Sequence, residues 1–201
     1  TVEITNDKES FEISAKNIIV ATGARSRDIE SLKKDGEKIF GYRDAMTLEE
    51  QPKEMVIVGS GAIGIEFAYF YNALGTNVTV VEFQNGIAPN EDHDISKELE
   101  KILKKKGINI LTNSKVVSSK IVDKKVKVDI ESDDKKFTID CDVVLSAVGI
   151  KSNIENIGLE ELGVKIESDK VIVNEYYKTN IDGIYAIGDI VSGPALAHVA
   201  S

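Results

Sequence analysis

The sequence contains 201 residues, which allows one large domain or two small ones, and its 42% apolar and 29% charged residues are typical of a soluble globular protein. Its formal net charge is −9, and the basic residues are scattered along the chain. This charge argues against binding to nucleic acids or to anionic membranes. No apolar run approaches the length of a membrane span.

The N-terminal segment TVEITNDKES reads as the middle of an edge strand and carries neither an initiator Met nor a signal-peptide pattern. We therefore expect the natural chain to begin earlier. The apolar run NIIVATGA, closed by Gly23, predicts a strand that is buried on both faces. The charged stretch 25–40 that follows it predicts surface loops and short turns.

Residues 55–113 alternate between apolar strands and amphipathic helices, which predicts a parallel sheet with right-handed crossovers. The strands are MVIVG, NVTVVE and INILTN. The first helix is predicted to end at Gly75. Its apolar stripe consists of Ile63, Phe67, Tyr71 and Leu74. The second helix is predicted to begin at a capping Asp94 and to end at Gly107. Its stripe consists of Ile95, Leu99, Ile102 and Leu103.

The C-terminal part begins with short alternating runs over residues 115–149, which predict an antiparallel meander that ends in one more buried strand. The last 50 residues contain the strand-like runs KVIVNEYYKT and GIYAIGD, followed by GPALAHVAS, which predicts the start of a helix. We expect the strands near both ends of the chain to have their sheet partners outside this sequence.

The segment VIVGSGAIG contains the pattern G-x-G-x-x-G, formed by Gly59, Gly61 and Gly64. In a dinucleotide site the first glycine allows a tight turn, the second lets a pyrophosphate approach the backbone, and the third lets helix and strand pack closely. The helix N-terminus adds unpaired N–H donors and a partial positive charge. The pattern alone is weak, but here it follows a buried strand and opens an amphipathic helix, which favours dinucleotide binding over a purely structural turn.

Glu82 lies at the end of the second strand, where a carboxylate accepts both ribose hydroxyls of an adenosine. A 2′-phosphate requires a cation at this place, and VVEFQNG offers an acid without Arg or Lys. Repulsion between Glu82 and the phosphate disfavours NADP, so the sequence predicts NAD.

Three other residues have two interpretations each. Glu66 lies in the first turns of the glycine helix, where the helix dipole alone accounts for an acid, although a functional role stays open. Cys141, the only cysteine, shares an alternating face with apolar residues and is predicted to be a packed, inert thiol rather than a reactive one. His93 is predicted to be a solvated loop residue, because no second metal ligand stands at a useful spacing.

Four motifs in this order resemble those of the pyridine nucleotide–disulfide oxidoreductases: NIIVATGA, the glycine segment up to Glu82, DVVLSAVG and GIYAIGDIVSGPALAHVAS. The resemblance covers essentially the whole chain. It implies an α/β fold in which a Rossmann-like NAD-binding domain, with a parallel sheet and an antiparallel meander, is flanked by parts of an FAD-binding domain. On that plan residues 1–43 and 152–201 are partial FAD-binding domain, and residues 44–151 are the NAD-binding domain.

The resemblance also implies binding roles for individual residues. The NAD pyrophosphate contacts the loop Gly59, Ser60, Gly61, Ala62, Ile63 and Gly64. Glu82 contacts the adenosine ribose, Ile63 and Glu66 meet the nicotinamide, Val116 lies beside the adenine, and Gly149 lies near the dinucleotide. The FAD site is lined by Thr22 and Gly23, by Asp189 at the ribityl chain, and by the segment Ala195, Leu196, Ala197 and His198 under the flavin. The relatives' basic GRRPN-like run is GIKSN here, so Lys151 is only a partial substitute for an arginine contact.

The motifs are most similar to those of members that oxidise dihydrolipoamide, carried by 2-oxo acid dehydrogenase complexes, with FAD and NAD⁺. By resemblance such a flavoprotein is a homodimer in the cytoplasm or the mitochondrial matrix, and a single cysteine suits a reducing compartment. The reaction needs a redox pair of cysteines, a second glycine loop for FAD, and a His–Glu base from the partner subunit. This chain has one cysteine and one glycine loop, and His198 belongs to the flavin segment.

We therefore expect a central fragment that binds NAD(H) without turnover, contains no catalytic residue and holds no metal. Two alternatives stay open at this point. One is another NADH-dependent flavoprotein of the family, such as an NADH oxidase or a metal-ion reductase. The other is a non-catalytic NAD-binding module. Members that use NADPH are disfavoured by Glu82.

Overall fold

The computed structural model describes residues 1–133 and 135–200. Its strands are β1 Val2–Thr5, β2 Ser10–Ile13, β3 Ile18–Val20, β4 Ala24–Ser26, β5 Ile39–Phe40, β6 Glu54–Val58, β7 Asn77–Val81, β8 Asn109–Leu111, β9 Ser114–Val122, β10 Lys125–Ser132, β11 Lys135–Cys141, β12 Val143–Ser146, β13 Ile150–Ser152, β14 Ile166–Glu167, β15 Lys170–Val171 and β16 Ile184–Ala186. Its helices are α1 Tyr42–Ala45, α2 Ala62–Ala73, α3 His93–Lys105 and α4 Ala197–Ala200, and a 3₁₀ turn covers Gly188–Ile190. No helix within the described ranges is both long and apolar enough to cross a membrane.

The chain forms two compact units. Unit 1 consists of Thr1–Arg25 and Lys151–Ser201, and unit 2 consists of Ser26–Ile150. Residues 26–43, which the sequence groups with the flanking segments, lie in unit 2. The physical reason is that β5 pairs with β12 and that Leu32, 0% exposed, packs in the core beside Val144.

The centre of unit 2 is a five-stranded sheet in the order β5-β12-β6-β7-β8, in which every pairing is parallel. Strands β6 and β12 are almost entirely buried, as continuous apolar runs predict for strands covered on both faces. Helix α2 connects β6 to β7, and α3 connects β7 to β8. The predicted α/β fold with a parallel sheet is confirmed.

Helix α2 buries only part of its predicted stripe: Tyr71 is buried and Phe67 packs partly buried against the core. Its buried residues are Gly64, Ala68 and Tyr71, whereas Leu74 is 53% exposed. The small residues lie inward because the helix packs very close to the sheet at its N-terminal end. Tyr71 is the one large residue on this face, and its hydroxyl donates a hydrogen bond of 2.5 Å to the carbonyl of Ala45.

Helix α3 begins at His93, and its cap is Asp92, two residues before the predicted cap Asp94. The Asp92 side chain accepts a hydrogen bond from the N–H of Asp94 at 2.9 Å. His93 is therefore an exposed residue of the first helical turn and not a loop residue. In the predicted stripe Leu103 is buried and Leu99 is half-buried, but Ile95 and Ile102 are exposed.

The antiparallel meander of unit 2 is confirmed as the sheet β11-β10-β9. Alternate residues of β10, namely Val126, Val128 and Ile130, are fully buried and form a second core with the opposite face of the parallel sheet. A register shift between Asp129 and Ile130 marks a bulge in the pairing with β9. Cys141 ends β11 inside this core.

Unit 1 corrects the expectation that its strands lack partners in this sequence. β1 and β2 form an antiparallel hairpin, and β3 pairs in parallel with β16. The run KVIVNEYYKT contains only the short strand β15, because the Asn174 side chain accepts hydrogen bonds from the backbone of Tyr176 and Lys178 and folds the rest into a turn. The predicted helix start near the C-terminus is confirmed as α4.

Candidate functional site

The glycine loop 59–64, Glu82 and Gly149 follow the carboxyl ends of β6, β7 and β12, respectively, whereas Val116 lies in β9. Strand β6 lies between β12 and β7. The chain leaves β6 to one side, builds β7 and β8, and returns on the other side of β6 to form β12. Such a reversal of strand order opens a crevice at the carboxyl edge of a parallel sheet, and ligands bind in that crevice.

Gly59 and Gly64 are required by the packing of the loop itself. Gly59 has a φ of +99°, and a Cβ on it would lie 2.4 Å from the carbonyl oxygen of Ala147. A Cβ on Gly64 would lie 2.1 Å from the carbonyl oxygen of Gly59. Both distances are far too short for real atoms. These two glycines therefore allow the tight turn and the close approach of α2 to the sheet.

Gly61 differs from its two neighbours in the motif. It is the N-cap of α2, its backbone is extended, and a Cβ built on it would have no described heavy atom within 4 Å. Its φ of −66° is open to any residue. Packing within the described part of the chain gives no reason for a glycine here. Because Gly61 has no side chain, the space beside the unpaired N–H groups of the first helical turn stays free.

Glu82 follows β7 and is buried against the glycine loop, with 6% of its surface exposed. Its Oε2 accepts hydrogen bonds from the Ser60 N–H at 2.8 Å and from the Ser60 hydroxyl at 2.5 Å. Its Oε1 accepts one from the N–H of Gln84 at 2.8 Å. A buried charge needs such donors to compensate for lost water. The structure thus joins the loop and the acid directly.

Neither of these connections could be predicted from the sequence. The bond from Ser60 to Glu82 is a tertiary contact between segments that follow different strands, and no periodicity indicates it. The Gln84 contact uses a backbone donor, which its side chain does not reveal. The available signal was the position of each residue at the end of adjacent parallel strands, which places the two segments at the same edge of the sheet.

The remaining predicted residues of unit 2 differ in their exposure. Ala62 and Glu66 are exposed on α2, and Ile63 is half-buried. Gly149 is exposed beyond the end of β12, and its carbonyl accepts a hydrogen bond from the N–H of Arg27. Val116 is only 4% exposed and packs in the core of the meander, so its side chain has little surface to offer to a ligand.

In unit 1, Thr22 and Gly23 lie between β3 and β4 and are fixed by Asn153. The Thr22 hydroxyl donates to the carbonyl of Asn153 at 2.5 Å, the Asn153 side chain donates to the carbonyl of Thr22, and the Asn153 N–H donates to Gly23. These three bonds hold the end of the ATG motif in one conformation.

The other predicted residues of unit 1 follow β16. Asp189 is half-buried in the 3₁₀ turn, and its carbonyl accepts hydrogen bonds from the ammonium of Lys170 and from the hydroxyl of Ser152. The segment Ala195–His198 is exposed, and its last two residues begin α4. The turn is therefore anchored through its backbone, and the segment after it is exposed.

Lys151, the partial substitute for an arginine, has a different partner. Its ammonium forms an ion pair with Glu155, which also accepts a bidentate pair of hydrogen bonds from Arg25 at 2.8 and 3.1 Å. The Arg25 guanidinium, assisted by Lys151, lowers the pKa of Glu155 to about 2. Lys151 thus carries out a local electrostatic role within unit 1.

Unit 2 also buries the thiol of Cys141 and the hydroxyl of Ser146. Cys141 is 1% exposed, and burial raises the pKa of its thiol to about 12, so the predicted packed thiol is confirmed. Ser146 ends β12, opposite Val58 at the end of β6, and within the described ranges its buried hydroxyl has no hydrogen-bond partner. An unpaired buried hydroxyl is unfavourable.

The chain is 44% identical over 196 residues to dihydrolipoyl dehydrogenase from Rhizobium etli and 41% identical over 201 residues to dihydrolipoyl dehydrogenase from Zymomonas mobilis. These alignments cover 97% and 100% of this chain, but only 41% and 43% of the two relatives. Among solved structures, LpdA from Mycobacterium tuberculosis superimposes with a TM-score of 0.88 and 32% identity. That superposition covers 98% of this chain and 43% of LpdA.

The chain therefore spans less than half the length of these proteins, and the similarity extends through both of its units. The sequence profile described as pyridine nucleotide-disulphide oxidoreductase matches residues 1–201. This chain belongs to the pyridine nucleotide-disulphide oxidoreductase family.

Proposed function

We propose that unit 2 binds NAD(H), with the pyrophosphate at the N-terminus of α2 and the adenosine ribose on Glu82. The observation that carries the proposal is Gly61. Gly59 and Gly64 are explained by packing, but a Cβ on Gly61 would meet no described atom within 4 Å. A glycine without a packing reason at a helix N-terminus suits a backbone that a phosphate approaches closely.

The electrostatics of the loop support NAD rather than NADP. The N-terminal N–H groups of α2 favour the charge of a pyrophosphate. Glu82 accepts hydroxyl groups, but it repels a 2′-phosphate because the two negative charges would lie a few Å apart. Its burial strengthens this repulsion, since water screens buried charges poorly.

The same placement extends the dinucleotide along α2. Ile63 and Glu66 lie toward the nicotinamide, and Glu66 is exposed and available to it. Gly149 lies beside the dinucleotide at the end of β12. Val116 contributes to the adenine end through the backbone of β9, because its side chain is buried.

Unit 1 contributes to an FAD site in the longer protein. Thr22, Gly23 and Asp189 line this site, together with the segment Ala195–His198. The hydrogen bonds to the backbone carbonyls of Thr22 and Asp189 support this role, because they fix the two turns independently of any ligand. When bound, FAD supplies two-electron transfer between a disulfide and the nicotinamide.

For the longer protein, the proposed reaction is oxidation of dihydrolipoamide by NAD⁺ to give lipoamide, NADH and a proton. The names of the Rhizobium etli and Zymomonas mobilis relatives support this substrate. Its partner is a 2-oxo acid dehydrogenase complex that carries the lipoamide, the protein is a homodimer, and its compartment is the cytoplasm or the mitochondrial matrix. No nucleic acid or membrane takes part.

The 201-residue chain by itself binds NAD(H) without turnover. A redox disulfide needs two thiols, and the chain contains one, Cys141, which is buried and has a raised pKa. We expect no NADH absorbance when the chain is mixed with dihydrolipoamide, NAD⁺ and FAD. Appreciable NADH formation would contradict this part of the proposal.

Calorimetric titration with NADH and NADPH tests the binding site. The native chain should bind NADH more tightly than NADPH. Glu82→Ala should weaken NADH binding by about 10- to 100-fold, the range for hydrogen bonds to a charged group. Glu50→Ala removes an exposed carboxylate of unit 2 and should leave both affinities unchanged. Tighter binding of NADPH by the native chain, or no effect of Glu82→Ala, would refute the assignment.

A further inference from the structure

The hydroxyl of Ser60 occupies an acceptor position that the proposed ligand needs. From the residues that the structure describes, Glu82 accepts three hydrogen bonds, two of them at Oε2 from Ser60 at 2.8 and 2.5 Å, and one at Oε1 from Gln84 at 2.8 Å. A carboxylate offers about four acceptor positions in total. One position, on Oε1, is therefore not used by any described residue.

The adenosine ribose brings two adjacent hydroxyls, and each needs an acceptor. This position on Oε1 accepts one of them. The second hydroxyl has to displace a donor that is already in place. Glu82 as it stands in this structure is thus prepared for half of the ribose.

Of the three donors, only the Ser60 hydroxyl moves without a change in the backbone. The Ser60 N–H lies in a loop that is held on both sides, since the Gly59 N–H donates to Val81 and the Ser60 carbonyl accepts from Ala88. The Gln84 N–H belongs to the chain that follows Glu82. The hydroxyl needs only a rotation about one side-chain bond.

We propose that Ser60 competes with the adenosine ribose for Glu82 and thereby lowers the affinity for NAD(H). The inference rests on the proposed function, because it assumes that the ribose binds to Glu82. In the free protein the hydroxyl satisfies Oε2 of a carboxylate that is 6% exposed. On binding, that hydrogen bond is exchanged for one to the ribose. The Ser60 side chain is itself 0% exposed, so water does not compensate for the exchange.

Removal of the hydroxyl should therefore tighten binding. Ser60→Ala should bind NADH about tenfold more tightly than the native chain, the size of one net hydrogen bond. The thermal stability of Ser60→Ala should fall, because Glu82 in the ligand-free protein loses one hydrogen-bond donor. Ser118→Ala is the matched control, since the Ser118 hydroxyl donates to Asp129 at 2.5 Å in the meander. It should leave the affinity for NADH unchanged.

A double-mutant cycle separates competition from a general effect on the loop. The gain from Ser60→Ala should disappear in the Glu82→Ala background, because no carboxylate remains to compete for. If Ser60→Ala does not fold, Ser60→Gly also removes the hydroxyl and should change the affinity in the same direction.

The possible results distinguish this inference from the proposed function. If the native chain binds NADH and Glu82→Ala weakens it, but folded Ser60→Ala or Ser60→Gly binds no more tightly, the competition by Ser60 is refuted and the binding site stands. A gain that persists in the Glu82→Ala background also refutes it. If the native chain does not bind NADH, both proposals fall.

Discussion

A substitution at Gly61 should change the affinity for NADH while leaving the stability of the fold nearly unchanged. In Gly61→Ala the new methyl group enters a space with no described heavy atom within 4 Å, and the φ of −66° suits alanine. Alanine is a poorer N-cap than glycine by a few tenths to about 1 kcal/mol. It also restricts the unfolded chain, which stabilises the native state by about 0.4–1 kcal/mol. The two effects offset each other, so the free energy of unfolding should change by less than about 1 kcal/mol.

Binding should respond quite differently to the same change. In the proposed site, the methyl group occupies the space through which a pyrophosphate would reach the N–H groups of α2. Forcing an extra carbon into a close-packed contact costs about 1–3 kcal/mol. The affinity for NADH should therefore fall by about 10- to 100-fold.

Gly64→Ala provides the opposite case. Alanine is favoured over glycine inside a helix by about 1 kcal/mol, but its Cβ would lie 2.1 Å from the carbonyl oxygen of Gly59. That oxygen belongs to the backbone and cannot rotate away, so the clash should exceed the gain in helix propensity. We expect a clear loss of stability in this variant.

Urea denaturation and calorimetric titration of both variants decide the matter. Native-like stability with weak NADH binding is expected for Gly61→Ala, and low stability for Gly64→Ala. If Gly61→Ala binds NADH as tightly as the native chain, the open space at Gly61 is not the phosphate cradle, and the observation on which the proposed function depends is lost.

Three further predictions concern groups outside the glycine loop. Cys141 has a pKa of about 12, so a thiol reagent at neutral pH should modify it only after denaturation; rapid modification of the folded chain would contradict its burial. Ser146→Ala should raise the free energy of unfolding by about 1 kcal/mol, because it removes a buried hydroxyl that no described residue pairs. Ser114→Ala should lower it in the same denaturation assay, because that hydroxyl is bonded; equal effects would refute the distinction. By NMR, Glu155 should titrate near 2 in the native chain, and its pKa should rise clearly in Arg25→Ala while staying below the ordinary value, because Lys151 still pairs with it. Because its pKa is lowered on folding, the stabilisation should be present above pH 4.5 and lost as the pH falls toward 2, and a native midpoint near 4.5 would exclude the ion pair.

The parallel sheet could be predicted from the sequence because its strands are continuous apolar runs separated by helices of ordinary length. The burial of each helix could not be predicted equally well. Apolar residues surround α2 on nearly every side, so its periodicity gives little contrast, and the close approach at Gly64 decides which face lies inward. For α3, two nearby acids, Asp92 and Asp94, are both plausible caps, and sequence does not resolve a shift of two residues.

In the candidate site, too, the residues could be predicted from local sequence, but the contacts between distant segments could not. The glycine loop and Glu82 could each be identified from their places at strand ends, and their binding roles stay predictions. Their mutual hydrogen bonds could not be foreseen, because they depend on the path of the loop after β6, which brings Ser60 to the Glu82 side chain. The turn at Asn174 was missed for a related reason: one side-chain oxygen overrides the strand propensity of the residues around it.

The two ends of the proposed nucleotide site should respond to mutation with opposite signs. At the phosphate end, Gly61 provides free space, so an added methyl group should weaken binding while stability is retained. At the ribose end, Ser60 satisfies a buried carboxylate, so a removed hydroxyl should strengthen binding while stability falls. A defect that merely disorders the loop would lower both quantities in both variants. Affinity and stability measured together on Gly61→Ala and Ser60→Ala therefore test whether the loop and the acid act as two separate contacts to one ligand.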